Sequence, residues 1–197
     1  MSNGEWGARI TSGRVSRRGF LKRAAAAGAG AMLPLSAWPR ISLGSTDAKV
    51  AGEIPDLVVA QGGDPAANCL AAVAALGGFP HFVQPGNLVV IKPNPVGRAR
   101  PEQGIQTHPA IVEAVVRECV KAGARKVVVA SNDSERDMRF NGTTQAVERG
   151  GGELKATFGA EDFREVLVPR GRIMRREQII TDLVEADVFI NLPIAKH

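Results

Sequence analysis

The residues best equipped for chemistry lie just beyond the strand predicted at Leu88–Ile91. Lys92 and Asn94 follow this apolar run, and His108 precedes Pro109, where a helix is predicted to begin. A lysine can hold an anion by its charge, and a histidine can transfer a proton or bind a metal. In open α/β sheets, ligands bind beyond the carboxyl ends of the strands. These side chains therefore predict a ligand site where a strand passes into a helix.

Two other predicted strands also end beside polar side chains. These strands are Lys126–Ala130 and Asp187–Pro193, and their polar neighbours are Asn132, Asp133, Asn191, Lys196 and His197. In a parallel sheet, the loops that follow the strands all open on one edge. We therefore expect this second set of side chains to join Lys92, Asn94 and His108 at that edge.

Each side chain of this edge has a candidate role. The catalytic candidates are Lys92, His108 and Lys196, the residues expected to hold a cofactor are Asn94, Asn132, Asp133 and Asn191, and the metal candidates are His108 and His197. Structural roles remain open beside these. His108 can cap the helix, Lys92 can form an ion pair with Asp133, and Asn94 can satisfy backbone groups of a turn.

The motifs do not define a reaction. The sequence has no Ser-His-Asp order, no H-E-x-x-H, no Walker loop and no paired-carboxylate spacing. The edge suits a small phosphorylated or carboxylated ligand, with a metal held by histidine and aspartate as a further option. Two hypotheses follow. One is a cofactor- or metal-dependent enzyme of redox or isomerase type, and the other is a non-catalytic anion- or metal-binding accessory protein.

The elements around this edge predict a three-layer α/β fold with a mostly parallel sheet. The helix after Pro109 has an apolar stripe at helical spacing, formed by Ile111, Val112, Val115, Val116, Cys119 and Val120. The strand Leu88–Ile91, this helix and the strand Lys126–Ala130 are expected to form a right-handed βαβ unit. An earlier strand, Leu57–Ala60, precedes an Ala-rich helix that Asp64 is expected to cap.

Three further predictions concern the ends of elements. We expect Pro93 and Pro95 to stop strand pairing, because proline has no backbone N–H and a fixed φ. The segment Ile179–Ala186 shows a helical pattern, and Asp187–Pro193 is an apolar run typical of a buried strand. The domain is expected to be incomplete at its C-terminal end, since a polar pair and no covering helix follow the last strand. A complete protein, or a truncated remnant without function, are the alternatives.

The basic charge of the chain is concentrated in its first 48 residues. The whole chain carries 25 Lys and Arg against 20 Asp and Glu, with a pI near 9.7. Residues 1–48 hold seven of these basic residues and two of the acidic ones, so that the remainder is neutral. A nucleic-acid-binding domain needs a basic face of its own. We therefore expect no nucleic-acid partner.

The segment Ser16–Lys22, with the sequence SRRGFLK, resembles the twin-arginine export motif. The mildly apolar stretch Ala24–Leu35 follows it and is shorter than the ~20 residues that a stable membrane span requires. Residues 1–48 are therefore interpreted as a signal peptide and linker, and residues 57–197 as the α/β domain. This implies the twin-arginine translocase as a partner during export and a periplasmic or otherwise exported location. A basic, disordered N-terminus is the alternative.

Two cysteines, Cys69 and Cys119, lie within apolar helical patterns and are interpreted as small buried core residues. A disulfide formed after export is the alternative. Without any C-x-x-C pair, the chain's own cysteines do not form an iron–sulfur or zinc motif.

The ordered set of these motifs resembles the family called domain of unknown function 362. The resemblance rests on Ile91–Asn94, Thr107–Pro109, Asn132 with Asp133, and Ala186–Pro193 followed by Lys196 and His197. It runs over roughly residues 58–197 and implies a domain that continues past the Lys/His motif. Many members also carry a ferredoxin-type Cys-rich segment, which this sequence lacks, so an iron–sulfur role is not implied for it. A looser similarity of layout links the family to lactate racemase-like proteins with a nickel-bearing cofactor.

Overall fold

A computed structural model describes residues 9–12, 54–157 and 159–196, which divide into two compact units at Gly78 and Phe79. In the first unit, strand β1 (Arg9–Ser12) pairs antiparallel with β2 (Val58–Gln61), and helix α1 (Pro65–Ala75) follows. The carboxylate of Asp64 accepts a hydrogen bond from the backbone N–H of Ala67, which confirms the predicted cap. The twin-arginine motif lies outside the described residues.

The second unit alternates strands and helices. In chain order its elements are α2 (Phe79–Phe82), β3 (Leu88–Pro93), a 3₁₀ turn (Pro101–Gln103), α3 (Pro109–Lys121), β4 (Lys126–Ser131), α4 (Glu135–Phe140), α5 (Thr143–Gly150), β5 (Glu153–Ala156), a second 3₁₀ turn (Ala160–Asp162), β6 (Phe163–Leu167), β7 (Arg176–Ile180), α6 (Thr181–Glu185) and β8 (Val188–Leu192). None of the helices within the described residues has the length and apolarity needed to span a bilayer.

Four of these strands form a parallel sheet in the order β5-β4-β3-β8. The two strands of the predicted βαβ unit, β3 and β4, are hydrogen-bonded neighbours in this sheet. One face of the sheet carries Leu88, Val90, Val128 and Ala130, which pack against Ile180, Leu183 and Ala186 in and around α6. The opposite face carries Val89, Ile91, Val127 and Val129, which are buried on the side of α3. The predicted three-layer α/β architecture with a parallel sheet is confirmed.

Close packing joins α3 to α5 on that second side. Both Gly150, at the end of α5, and Gly152, just beyond it, face Val116 of α3. A Cβ atom on Gly150 would lie only 2.7 Å from the Cβ of Val116. Because these glycines have no side chain, α5 can lie close against α3, and the two helices together cover this face of the sheet.

The prediction that Pro93 stops strand pairing is wrong. Strand β3 continues through Lys92 and Pro93, which are in register with Asn191 and Leu192 of β8. Pairing with β4 ends at Ile91, so the missing N–H of Pro93 falls where β3 has a neighbour on one side alone.

Two predictions about the last elements are wrong in part. The helix predicted over Ile179–Ala186 is confirmed at Thr181–Glu185, but Ile179 and Ile180 belong to strand β7, where they pair antiparallel with β6. Strand β8 is an edge strand that alternates half-buried and exposed residues, and Phe189 is 48% exposed, so it is not buried on both faces. An edge strand whose residues alternate between half-buried and exposed can have the same apolar composition as a strand buried on both faces, so composition does not distinguish the two.

Smaller differences concern the predicted core. Val120 of α3 is 41% exposed, although it was assigned to the apolar stripe, whereas Val112, Val115, Val116 and Cys119 are buried. Cys69 is half-buried rather than buried. Both cysteines are free thiols.

Strands β6 and β7 form a separate antiparallel hairpin beside the parallel sheet. Its link to the sheet runs through Lys155 of β5, whose ammonium contacts Asp182 of α6 at 2.5 Å and Asp162 at 3.4 Å. These two carboxylates raise the pKa of Lys155, with the hydrogen bond to Asp182 as the largest cause. The ion-pair cluster therefore ties β5 to α6 and to the turn before β6.

Candidate functional site

Lys92 and Asn191 form a cross-strand pair at the carboxyl edge of the sheet. They are opposite each other in the parallel register of β3 and β8, and both side chains are exposed. Alternation along β3 puts Lys92 on the same face as Leu88 and Val90, which is the face that α6 covers. The ammonium of Lys92 and the amide of Asn191 are thus neighbours at the carboxyl edge of the sheet, on the face that α6 covers.

Lys155 lies in the same cross-sheet row. It pairs with Ala130 of β4, and Ala130 is one residue beyond the β4 partner of Ile91. The row across the sheet is therefore Lys155, Ala130, Lys92 and Asn191, with two strand spacings of about 4.8 Å each between the lysines. Lys155 forms ion pairs with Asp162 and Asp182, whereas Lys92, among the described residues, donates only to the carbonyl oxygen of Pro93, at 2.9 Å.

Thr107 fixes the helix start to the ends of two strands. Its hydroxyl donates to the carbonyl oxygen of Leu192 at 2.5 Å and accepts from the N–H of Asn94 at 2.9 Å. Its own N–H donates to the carbonyl oxygen of Asn94 at 3.0 Å. Thr107 is 5% exposed, so these bonds are shielded from water. The loop that leads into α3 is thereby held at the ends of β3 and β8.

His108 caps helix α3, which is the structural role that the sequence left open for it. Its Nδ1 accepts a hydrogen bond from the N–H of Ala110 at 3.2 Å, and Pro109 occupies the first helical position. A neutral imidazole that accepts at Nδ1 carries its proton on Nε2. In this tautomer His108 presents an N–H donor to its surroundings, which suits an oxygen of an anion. A metal bond through Nε2 would require the other tautomer and the loss of the cap.

The ion pair between Lys92 and Asp133 is not formed. The carboxylate of Asp133 instead accepts a hydrogen bond from the N–H of Gly97 at 3.0 Å, which fastens the loop after β3 to the end of β4. Within residues 54–157 and 159–196, Lys92 has no carboxylate partner. The positive charge at this edge is therefore uncompensated.

The remaining predicted residues divide into those near this loop and those apart from it. The ammonium of Lys196 donates to the carbonyl oxygen of Ile105 at 3.3 Å, two residues before Thr107. Asn94 donates to the carbonyl oxygen of Pro95 at 3.1 Å and serves the turn. Asn132 is exposed at the end of β4. His197 lies outside the described residues.

Sequence reasoning missed a set of buried polar residues beneath the loop. Asn141 is 1% exposed, donates to the carbonyl oxygen of Gly97 at 3.0 Å and accepts from the hydroxyl of Thr143 at 2.7 Å. Gln106 is 2% exposed and donates to the carbonyl oxygen of Asn141 at 3.2 Å. Asn141 and Thr143 lie at the start of helix α5. Asn141 and Gly97 are 44 residues apart in sequence, so no local sequence pattern indicates their contact.

The donor set at this edge does not match a metal centre formed by the described residues. Among residues 54–157 and 159–196, no three His, Cys, Asp or Glu side chains form a cluster that could hold a metal ion. One carboxylate oxygen of Asp133 and the Nδ1 atom of His108 each already accept a hydrogen bond from a backbone N–H. Burial raises the pKa of the Cys119 thiol to about 12, which disfavours the thiolate that a metal requires.

Comparison with known proteins identifies a family but no individual relative. No curated protein matches the chain, and no solved structure matches it. The family model described as "Domain of unknown function (DUF362)" matches residues 89–197, which is more than half of the chain and includes β3, α3, β4 and β8 with the edge that they form. This chain therefore belongs to the DUF362 family.

Proposed function

We propose that this protein binds a small ligand bearing a phosphate or carboxylate group at the carboxyl edge of its parallel sheet. The observation that carries the proposal is the state of Lys92. Its ammonium is exposed, donates only to the carbonyl oxygen of Pro93 and has no carboxylate partner among the described residues. A strongly hydrated ammonium fixed on a strand end is a point charge available to an anion.

Neighbouring groups supply hydrogen-bond donors for the same ligand. Asn191 stands opposite Lys92 in the strand register and offers an amide. His108 contributes an N–H at Nε2 as long as its Nδ1 caps α3. The carboxylate of Asp133 accepts a hydrogen bond from the N–H of Gly97 and forms no ion pair with Lys92, so the ammonium of Lys92 stays available to an anion.

The test is a thermal-shift series on the full chain with inorganic phosphate, pyrophosphate and citrate as probes. Wild-type protein is expected to be stabilised by at least one of them, because a ligand that binds the native state raises the melting temperature. Lys92→Ala should abolish this shift. Lys126→Ala is the matched control, since Lys126 is an exposed lysine at the opposite end of β4. A shift that is equal in both variants, or that no probe produces, would refute the site.

Enzymatic activity is a second candidate, and the tautomer of His108 favours it. An imidazole with a fixed orientation and a proton on Nε2 can serve as a general acid toward a ligand held by Lys92. Redox or isomerase chemistry would need a cofactor that these residues bind. Elemental analysis and an absorption spectrum of the exported protein test this. Stoichiometric nickel, iron or zinc, or a visible chromophore, that His108→Ala retains would support it, because an imidazole whose Nε2 carries the acid proton cannot bind a metal through that atom. A colourless, metal-free and folded protein would leave the binding role.

We further propose that the chain is exported through the twin-arginine pathway. The support is the segment Ser16–Lys22, which matches the motif at every position but its free one. Arg17→Lys together with Arg18→Lys preserves the charge and removes the arginine pair. This variant should remain inside the cell while wild-type protein reaches the periplasmic fraction. Equal export of both would contradict the proposal.

A further inference from the structure

The turn of the β6–β7 hairpin exposes aliphatic side chains to water. This hairpin tip, defined here as residues 167–175, includes Ile173 at 96%, Leu167 at 67% and Met174 at 55% exposure. Single exposed apolar residues are common on protein surfaces, but a contiguous group of them marks a contact surface for a partner.

The same tip carries positive charge without compensation. Arg170, Arg172 and Arg175 are exposed, and none has a carboxylate partner within the described residues. The nine residues of the tip include three arginines and no aspartate or glutamate. The local charge therefore departs from the neutral balance of residues 49–197.

The hairpin tip is held in a defined conformation by its backbone. The N–H of Gly171 donates to the carbonyl oxygen of Val168, and the N–H of Val168 donates to that of Arg175, both at 2.9 Å. A Cβ atom on Gly171 would collide with the carbonyl group of Met174. The turn is thus closed on itself around Gly171 while Ile173 points away from the fold.

We propose that the hairpin tip docks on the surface of an anionic lipid bilayer. Aliphatic side chains at an apex enter the boundary between headgroups and acyl chains, and flanking arginines pair with lipid phosphates. The charge of the tip is complementary to that surface. A nucleic acid is a poorer match, because the tip has no aromatic side chain on which a base could stack. An acidic protein surface would pair with the arginines, whereas a bilayer would also bury Ile173, Leu167 and Met174 at the boundary of its acyl chains.

Co-sedimentation of the full chain with vesicles tests the proposal. Vesicles of equal parts phosphatidylglycerol and phosphatidylcholine should bind the protein, and vesicles of phosphatidylcholine alone should bind it far less. Arg170→Gln with Arg172→Gln should weaken binding by a factor of about 25, at roughly fivefold for each arginine. Ile173→Ser should weaken it about tenfold or more. Because Ile173 is almost fully exposed, this substitution does not disturb folding.

The matched control is Arg136→Gln with Arg139→Gln, which removes the same charge from exposed positions on α4. It should bind vesicles as wild type does. The basic residues 1–48 are identical in all variants, so that differences among variants report the hairpin tip. Equal weakening by the control and the tip variants would overturn the proposal. So would binding to poly-L-glutamate that is unaffected by Ile173→Ser, which would assign the tip to an acidic protein.

Insertion has a second, independent measure. Ile173→Trp in a Trp6→Phe and Trp38→Phe background leaves one tryptophan, at the apex of the hairpin tip. Its fluorescence should shift to the blue on anionic vesicles and be quenched by brominated lipid chains. An unchanged spectrum with bound protein would show that another part of the chain holds the vesicle and would overturn the proposal.

Discussion

The hydroxyl of Thr107 donates a 2.5 Å hydrogen bond to the carbonyl oxygen of Leu192, across 85 residues of sequence. The bond joins the start of α3 to the end of β8, and the same hydroxyl accepts from Asn94 after β3. One buried side chain thus determines where three segments of the candidate site lie relative to one another. Lys92, Asn191 and His108 are each within two residues of these contacts.

Thr107→Val is expected to lower the free energy of unfolding by about 2 kcal/mol, because it leaves the partly buried carbonyl of Leu192 and N–H of Asn94 without their hydrogen-bond partner. Urea unfolding of the full chain measures this. Thr144→Val is the control, since Thr144 is 6% exposed and its hydroxyl has no hydrogen-bond partner within the part of the chain that the structure describes. The control should stay within about 0.5 kcal/mol of wild type. Equal stability of the two variants would show that the bonds of Thr107 contribute nothing.

The sequence located three of the four strands of the parallel sheet because each of the three is a compact apolar run, whereas β5 alternates charged and apolar residues. Strands β3, β4 and β8 were predicted within one or two residues, and their shared carboxyl edge follows from parallel pairing. It did not locate α4 or β7. Both are short, and β7 is a strand because β6 lies beside it, which is a tertiary contact.

The candidate site was predicted in composition but not in arrangement. The sequence indicated Lys92, His108 and Asp133, but not that Asp133 would serve Gly97 instead of Lys92. It also gave no sign of Lys155 in the row of Lys92, because that position depends on the register of β4 with β5. Register describes how two strands align, so it follows from their pairing in the folded protein and cannot be read from one strand alone.

Gly150→Ala tests the close approach of α5 to α3. A Cβ atom at this position would lie 2.7 Å from two carbons of Val116, so the helices must separate. We expect the free energy of unfolding to fall by about 1–3 kcal/mol, as for other overpacked sites. Gly63→Ala is the control, because no atom of the described residues lies within 4 Å of the added Cβ and the φ angle of Gly63 is not positive. An unchanged urea midpoint for Gly150→Ala would contradict the tight contact.

Glu113 gives the stability a pH dependence. Its carboxylate accepts from Arg149 at 2.8 Å and also pairs with Arg117, and the hydrogen bond from Arg149 is the main cause that lowers the pKa of Glu113 below its ordinary value of 4.5. The stabilisation is therefore complete above pH 4.5 and is lost as the pH falls through the lowered pKa. Glu113→Gln should cost less than about 1 kcal/mol at neutral pH, since both arginines are largely exposed.

Urea midpoints between pH 3 and 8 would check this. The difference between wild type and Glu113→Gln should be constant above about pH 5 and shrink in more acidic solution. Glu148→Gln is the control, because Glu148 is exposed on α5 and forms no ion pair among the described residues. A difference that stays constant down to the lowest pH would rule out a role for the ionised carboxylate of Glu113.

Cys119 should resist alkylation in the native protein. The thiol is buried in α3, and burial, with a smaller effect from Glu118, raises its pKa to about 12. The reactive species is the thiolate, so that at pH 8 only about one thiol in ten thousand is available. Cys69 provides the internal control, since burial also raises its pKa but leaves its side chain partly accessible. Mass spectrometry after iodoacetamide treatment should find Cys69 modified first and Cys119 modified only once urea unfolds the chain. Equal rates in the native protein would mean that α3 opens readily, and α3 could then not hold His108 in a fixed orientation at the edge of the sheet.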